Sequence, residues 1–145
     1  MLVDRAAFAT RAPRRGEVIA FRLPGEAKKV AVKRVVGLPN ERVEIVAGKL
    51  LIDGEPLDMP ATDRDYTPPR WVRGPARWTL GPDEFFVLGD NPPLSDDGRT
   101  WSVGPGVAAQ LIVGKPFIVH APRRAWTFAG RPFNIPDVWA IRYIR

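Results

Sequence analysis

Short apolar runs, interrupted every few positions by glycine or proline, are the feature that most limits how this chain can fold. The 145 residues include 13 glycines and 16 prolines. Proline inside a helix removes a backbone hydrogen bond, and both residues promote turns, so this composition favours short strands joined by many turns. Two-residue alternation dominates the apolar pattern, and no long amphipathic helix is indicated. The sequence therefore predicts a mostly β fold.

The predicted strands combine β-branched or alternating apolar residues with turn-forming residues at their ends. In chain order they are Glu17–Leu23, Lys28–Val36, Arg42–Val46, Leu50–Ile52, Glu84–Leu88 and Gln110–His120. The third and fourth are predicted to form a hairpin, and Asp53-Gly54 supplies a second tight turn into Glu55-Pro56-Leu57. The segment 58–82 is rich in proline without a clear period, which indicates a loop-rich insertion.

The length allows one domain with a genuine core, so we expect residues 1–145 to form a single domain. Residues 121–145 are a C-terminal extension of unclear role, too rich in aromatic residues for a disordered tail. The chain has no cysteine, which excludes disulfides and thiolate catalysis, and its one histidine, His120, excludes histidine-based triads. No apolar run approaches the roughly 20 residues that span a membrane, and no signal peptide is evident.

Lys33 lies in the middle of a predicted strand, Val30–Val36, that is apolar on both faces. Side chains alternate along a strand, so Lys33 shares a face with Ala31 and Val35, while Arg34 lies on the other. Burial lowers the pKa of a lysine and can make it a neutral base, whereas an arginine stays protonated. The alternative, which the strand alone favours, is a lysine whose stem packs while its ammonium group reaches water.

The segment Leu88–Arg99 joins the end of a predicted strand to a loop dense in turn-forming and hydrogen-bonding residues. Asp97 and Arg99 are close enough in sequence to pair across a turn, and the Ser95 hydroxyl can both donate and accept. The segment also fits a simple connection in which acidic and amide side chains bond nearby backbone amides. Its spacing of oxygen groups does not match an EF-hand calcium loop.

Together these segments resemble type I signal peptidases, a family of Ser/Lys proteases. Three ordered motifs carry the resemblance: Arg15-Gly16-Glu17-Val18-Ile19-Ala20-Phe21, Val32-Lys33-Arg34-Val35-Val36-Gly37-Leu38-Pro39, and the Gly89-Asp90-Asn91 box followed by Ser95, Asp97 and Arg99. Leu2-Val3-Asp4-Arg5 also resembles the segment that follows the family's nucleophile motif. The similarity extends from about residue 2 to about residue 120.

The resemblance implies a signal-peptidase/LexA-like antiparallel β fold, shared with self-cleaving repressors, in which 58–82 occupies the place of the family's variable insertion. It implies removal of signal peptides from exported preproteins, which bind as an extended strand with small side chains beside the cut. No cofactor or metal is implied. The expected location of the full-length protein is the extracytoplasmic face of the cytoplasmic membrane, with this fragment soluble.

The resemblance also implies a role for each candidate site residue. Lys33 is the expected general base of a Ser/Lys dyad, and Ser95 is expected to hold its amine in orientation. The remaining expected residues are structural, with an ion pair of Asp97 and Arg99 and a turn that shapes the site at Gly89, Asp90 and Asn91.

The family's nucleophile lies in a Ser-Met-x-Pro-Thr-Leu-like motif upstream of the Leu2-Val3-Asp4-Arg5 equivalent, and neither Ser95 nor Ser102 has that context. We therefore expect the nucleophile and the preceding membrane anchor to be absent, and the chain as given to be inactive. Three explanations stay open. The first is a truncation or a misplaced gene start that removed the anchor and the nucleophile together. The second is a natural homologue that has lost catalysis, and the third is Ser95 as a displaced nucleophile.

Two other interpretations concern partners. A non-catalytic homologue that binds extended peptides or assists surface assembly is the alternative function. The net charge of +6, together with Arg123-Arg124, Trp126 and Phe128, would suit either nucleic acid or a membrane interface. Because the family works at membranes, the membrane surface is the expected partner and nucleic acid is not.

Overall fold

The computed structural model describes residues 2–70, 76–101, 104, 106–119, 124–128, 131–135 and 142–143. Within these residues the chain forms thirteen strands and three short 3₁₀ helices, and no α-helix. Every strand pair is antiparallel. The prediction of a mostly antiparallel β fold is therefore confirmed. None of the helices formed by the described residues has the length and apolar character of a membrane span.

The strands are β1 (Leu2–Asp4), β2 (Val18–Leu23), β3 (Glu26–Gly37), β4 (Arg42–Val46), β5 (Lys49–Ile52), β6 (Glu55–Pro56), β7 (Arg77–Thr79), β8 (Glu84–Leu88), β9 (Gly106–Ala108), β10 (Ile112–Val119), β11 (Arg124–Phe128), β12 (Arg131–Ile135) and β13 (Arg142–Tyr143). The 3₁₀ helices are Pro60–Thr62, Pro92–Leu94 and Ala109–Leu111.

Three sheets organise these strands. The largest has the order β1-β10-β2-β3-β8-β9, with β13 also paired to β10. A second sheet has the order β6-β5-β4-β7, and β11 and β12 pair with each other. The central position of β3 in the largest sheet places Lys33 beside both β2 and the end of β8.

The predicted strands agree with these elements apart from small shifts at their ends. The observed strand β3, Glu26–Gly37, is longer than the predicted strand Lys28–Val36. The predicted Asp53-Gly54 turn has positive φ at both residues, 53° and 92°, as a tight hairpin turn requires. The insertion 58–82 contains a strand that was not predicted, β7, which pairs with β4. His120 and Ser102 lie outside the described residues, as do 71–75.

The core lies on both faces of β3 and β8. Val35, Phe85 and Val87 pack in one apolar cluster, whereas Val36 and Phe86 pack in another. Successive side chains of a strand point to opposite faces, so these two strands need apolar residues at consecutive positions. This requirement explains why the segment around Lys33 is apolar on both faces.

Candidate active site

The candidate site forms where β8 ends beside β3. Arg34 pairs with Leu88 and Val35 with Val87, and the chain leaves the sheet at Gly89. The loop 89–99 then folds back over this end of the strand. As a result, Lys33 lies next to a loop that is more than fifty residues away in sequence.

Lys33 Nζ lies 2.7 Å from Ser95 Oγ. An ammonium group can donate to this oxygen, and a neutral amine can accept from the serine hydroxyl, so the contact persists in both protonation states. Within the described residues, Lys33 makes this hydrogen bond but no ion pair. The arrangement suits a lysine that must exchange a proton.

Burial lowers the pKa of Lys33 below its ordinary value of 10.5. Three carboxylates oppose this shift, in decreasing order Asp97, Asp96 and Asp90, and the positive charge of Arg99 adds to it. Desolvation is the largest contribution because it penalises the ammonium form directly. The pKa of Lys33 thus moves toward the range in which an amine can act as a base.

Gly89 is placed where no side chain would fit. A Cβ at this position would lie 2.0 Å from Ser95 Oγ, 2.6 Å from Ser95 Cβ and 3.4 Å from Lys33 Nζ. Even a methyl group would therefore push Ser95 away from the amine. Glycine at this position is a condition of the contact between Lys33 and Ser95.

Asp97 and Arg99 form a buried ion pair in the same loop. Arg99 Nε donates to Asp97 Oδ1 at 2.8 Å, and Arg99 Nη2 donates to Asp97 Oδ2 at 3.0 Å. The Gly89 amide donates to Asp97 Oδ2 at 3.0 Å, and Arg99 also donates to the Pro92 carbonyl at 2.9 Å. The pair therefore joins the start, the middle and the end of the loop.

A second ion pair joins the loop to β3. Arg34 Nε and Nη2 donate to the two carboxylate oxygens of Asp90 at 2.8 and 2.7 Å. Arg34 Nη1 donates to the Gly16 carbonyl at 2.7 Å. Arg34 thus connects the Arg15-Gly16-Glu17 motif to the Gly89-Asp90-Asn91 box. Asn91 itself is exposed at the start of a 3₁₀ helix, and its side chain does not cap that helix.

Ion pairs hold the first motif, Arg15-Gly16-Glu17, against its surroundings. Glu17 accepts from Arg11 at 2.7 and 2.9 Å and from Lys115 at 3.0 Å, and these bonds, led by that with Arg11, lower the pKa of Glu17 to about 2. Arg15 donates to both carboxylate oxygens of Glu41. These residues connect β2 to β10 and to the turn after β3, so their role is structural.

Two contributors to the site were not identified from the sequence. Tyr66, from the insertion, is buried beneath the loop, with the Arg99 guanidinium 5.5 Å from its ring centroid and its hydroxyl 3.4 Å from the Gly89 carbonyl. Burial raises the pKa of Tyr66, so its hydroxyl stays protonated. The second contributor is Arg34. The sequence indicated only that it lies on the strand face opposite Lys33.

The sequence of the chain is similar to those of known signal peptidases. The family described as signal peptidase, peptidase S26 matches residues 1–121. A signal peptidase I of Leptolyngbya laminosa is 34% identical over 130 residues, which cover 84% of this chain and 60% of that protein. A signal peptidase I of Pseudomonas aeruginosa is 31% identical over 139 residues, covering 74% and 49%.

The fold comparison gives the same result. The crystal structure of a signal peptidase I from Enterococcus faecalis superposes with a TM-score of 0.57 at 29% identity, covering 73% of this chain and 97% of that one. The chain spans 60% and 55% of the length of the first two curated relatives. The motifs, the fold and these matches together place the chain in the signal peptidase family, peptidase S26.

Proposed function

We propose that this chain carries the base half of a Ser/Lys endopeptidase that removes signal peptides from exported proteins. The observation that supports it most is the 2.7 Å contact between Lys33 Nζ and Ser95 Oγ, made by an amine whose pKa is lowered by burial. The membership of the chain in the signal peptidase family supports the same reaction.

In the proposed reaction, a serine hydroxyl attacks the scissile carbonyl while Lys33 Nζ takes the hydroxyl proton. The leaving amine of the substrate then receives that proton, and an acyl-enzyme remains. Lys33 next takes a proton from water, whose oxygen attacks the ester carbon. As the ester bond breaks, Lys33 gives that proton to the serine oxygen, which restores the serine hydroxyl and the neutral amine. Ser95 keeps the amine aimed at the reacting hydroxyl throughout, and Asp97 and Arg99 keep Ser95 in place.

We propose that the attacking serine belongs to a segment N-terminal to residue 1, in a Ser-Met-x-Pro context. The 145 residues include two serines, of which Ser95 already contacts the amine as its orienting partner. Ser102 lies outside the described residues. A displaced role for Ser95 as nucleophile is the competing assignment, and the experiment below separates the two.

The substrate is proposed to bind along the edge of β3 that precedes Lys33. β2 pairs with the other edge of β3, whereas β8 pairs only with Arg34, Val35 and Gly37. Among the described residues, the stretch from Glu26 to Val32 therefore has no partner strand on the β8 side. An extended signal peptide could add there as a further strand and bring its scissile bond to Lys33, at the extracytoplasmic membrane surface.

The test measures cleavage of a fluorogenic signal-peptide substrate. The protein assayed is a longer chain that includes the residues encoded upstream of residue 1. We expect Lys33→Met and Lys33→Arg to lower kcat/KM by at least about 100-fold, because neither side chain can take the proton. Lys49→Met is the matched control, since Lys49 is an exposed lysine paired only with Asp63 among the described residues.

The 145-residue chain is expected to bind such a peptide without cleaving it. Cleavage by this chain that is lost in Ser95→Ala would assign the nucleophile to Ser95 instead. An upstream sequence without a Ser-Met-x-Pro motif, together with peptide binding, would favour the non-catalytic peptide-binding homologue.

A further inference from the structure

Two clefts meet at Asp96 and Thr100, beside the candidate base. One, of about 400 Å³, is lined by Ser95 and by the prolines and Leu94 that precede it. The other, of about 370 Å³, is lined by the β2–β3 turn, including Leu23 and Glu26, and by Trp101. Asp96 and Thr100 line both clefts, so Asp96 lies at the boundary between the candidate site and the beginning of β3.

The Asp96 carboxylate is exposed and lies within hydrogen-bonding distance of the Thr100 hydroxyl. Thr100 Oγ1 donates to Asp96 Oδ1 at 2.6 Å. Within the described residues, Asp96 forms no ion pair, unlike its neighbours Asp90 and Asp97 in the same loop. Its charge is near enough to Lys33 to raise the pKa of that lysine. An exposed carboxylate that forms no ion pair with any other described residue thus lies beside the base.

An extended peptide on the proposed edge of β3 would pass this carboxylate. The second cleft contains Glu26, the first residue of β3, and the first cleft contains Ser95, the partner of Lys33. A peptide that runs from Glu26 toward Lys33 therefore follows both clefts and passes Asp96 between them. Side chains alternate along such a peptide, so one position or two neighbouring alternate positions would face Asp96.

We propose that Asp96 is a specificity-determining residue that selects a lysine or arginine side chain at one position of the bound peptide. This inference rests on the proposed function, because it needs an extended peptide on β3. The cationic head would pair with the carboxylate, and the apolar stem would pack against Leu23 and Trp101, which line the cleft.

The charge of the whole protein makes this selection distinctive. With a net charge of +6, the summed charge of the chain attracts acidic peptides more than basic ones, and this attraction depends little on where the charge lies in the peptide. A preference for lysine confined to one part of the peptide requires a local carboxylate. Position dependence therefore separates a local carboxylate from the general field. Substitution of Asp96 then distinguishes it from Glu26, which lines the same cleft and is paired with Lys29.

The experiment measures binding of labelled, alanine-rich extended peptides to the chain by fluorescence anisotropy. One lysine is moved through the peptide a position at a time, and glutamine and glutamate peptides serve as comparisons at each position. We expect lysine to bind about two- to fivefold tighter than glutamine at one position or two alternate positions, with a smaller difference at high salt.

Asp96→Asn should abolish this preference while it keeps the hydrogen bond from Thr100, since an amide oxygen also accepts. Asp83→Asn is the matched control, because it removes the same charge from an exposed side chain in the turn before β8 and should leave the preference intact.

A lysine preference that persists in Asp96→Asn, or that is equal at all positions, would overturn the inference and leave the proposed function standing. If no peptide of the series binds, the proposed peptide site on β3 fails, and the role of Asp96 fails with it.

Discussion

The loop from Gly89 to Arg99 is held at its two ends by ion pairs that share a geometry but differ in exposure. Asp97 and Arg99 have side chains 0% and 2% exposed, whereas Asp90 and Arg34 are 52% and 15% exposed. Both pairs are bidentate, with donor–acceptor distances between 2.7 and 3.0 Å. The distances alone would predict that the two pairs contribute equally to stability.

Because the two pairs differ in burial, removal of one partner is expected to have different effects in each. Removing one partner of a buried pair leaves a charge without water or counter-ion, while an exposed pair exchanges its partner for solvent. The buried end of the loop also fixes the Gly89 amide, which lies against Ser95, whereas the exposed end joins the loop to β3. We therefore expect the buried end to set stability and site geometry, and the exposed end to contribute little to either.

Asp97→Ala is expected to lower stability the most. This change leaves the Arg99 guanidinium buried without its carboxylate and should lower the free energy of unfolding by about 3–5 kcal/mol. Urea denaturation followed by tryptophan fluorescence measures the loss. Equal losses for Asp97→Ala and Asp90→Ala would contradict the distinction between the two ends.

Gly89→Ala should have the next largest effect. The added methyl group would overlap Ser95 Oγ, which costs about 1–3 kcal/mol of stability and moves the hydroxyl from Lys33. Gly81→Ala is the control, because its Cβ would meet only the flexible end of Glu84, at 3.3 Å. A Gly89→Ala protein with unchanged stability and an unchanged Lys33 pKa would show that the site has room that the structure does not indicate.

Asp90→Ala should lower the free energy of unfolding by at most about 1 kcal/mol, since the carboxylate is half exposed. Repeating the denaturation at high salt should reduce the difference from the unsubstituted protein, because salt screens an exposed pair. A larger loss that does not depend on salt would mean that Asp90 acts mainly by shaping the backbone of the loop.

The smallest effects concern the pKa of Lys33, measured by NMR titration of its side-chain amine. Carboxylate-to-amide substitutions should lower this pKa most for Asp97→Asn, less for Asp96→Asn and least for Asp90→Asn, following the order in which these charges raise it. An order in which Asp90→Asn ranks first would place the exposed end of the loop nearer to the amine than the structure does.

The lowered pKa also predicts how stability changes with pH. The folded protein binds its Lys33 proton less tightly than the unfolded chain, whose lysine has a pKa near 10.5. The destabilising contribution of Lys33 is therefore complete below the folded pKa and disappears as the pH rises to 10.5. Lys33→Met should accordingly gain most in stability, relative to the unsubstituted protein, at pH values at and below the folded pKa of Lys33.

Local sequence patterns predicted the strands that carry their own signal. β2, β3, β4, β5 and β8 have alternating or continuous apolar residues and clear turns, so the predicted and observed ranges agree closely. The three-residue strands β1, β7 and β9 were not predicted. Each exists because a distant partner strand, such as β10 for β1, supplies its hydrogen bonds, and no local pattern records that partner.

The candidate site shows the same division. The apolar strand around Lys33 indicated either burial or an exposed ammonium group, and only the return of the loop over β3 distinguishes these. The proximity of Ser95 was expected from family resemblance, not from spacing. Tyr66 was missed because a tyrosine in a proline-rich insertion carries no local sign that it supports an arginine elsewhere.

The sequence neighbours Lys33 and Arg34 face opposite sides of β3, one toward Ser95 and the other toward Asp90. Deletion of a single codon within β3 before Lys33 would exchange them and present a permanently charged guanidinium to the serine. The same shift would move Val35 and Val36 to opposite faces, out of the two apolar clusters in which they pack, so the protein would lose core contacts together with its base. Evolution can therefore vary the residues of this strand more freely than their number.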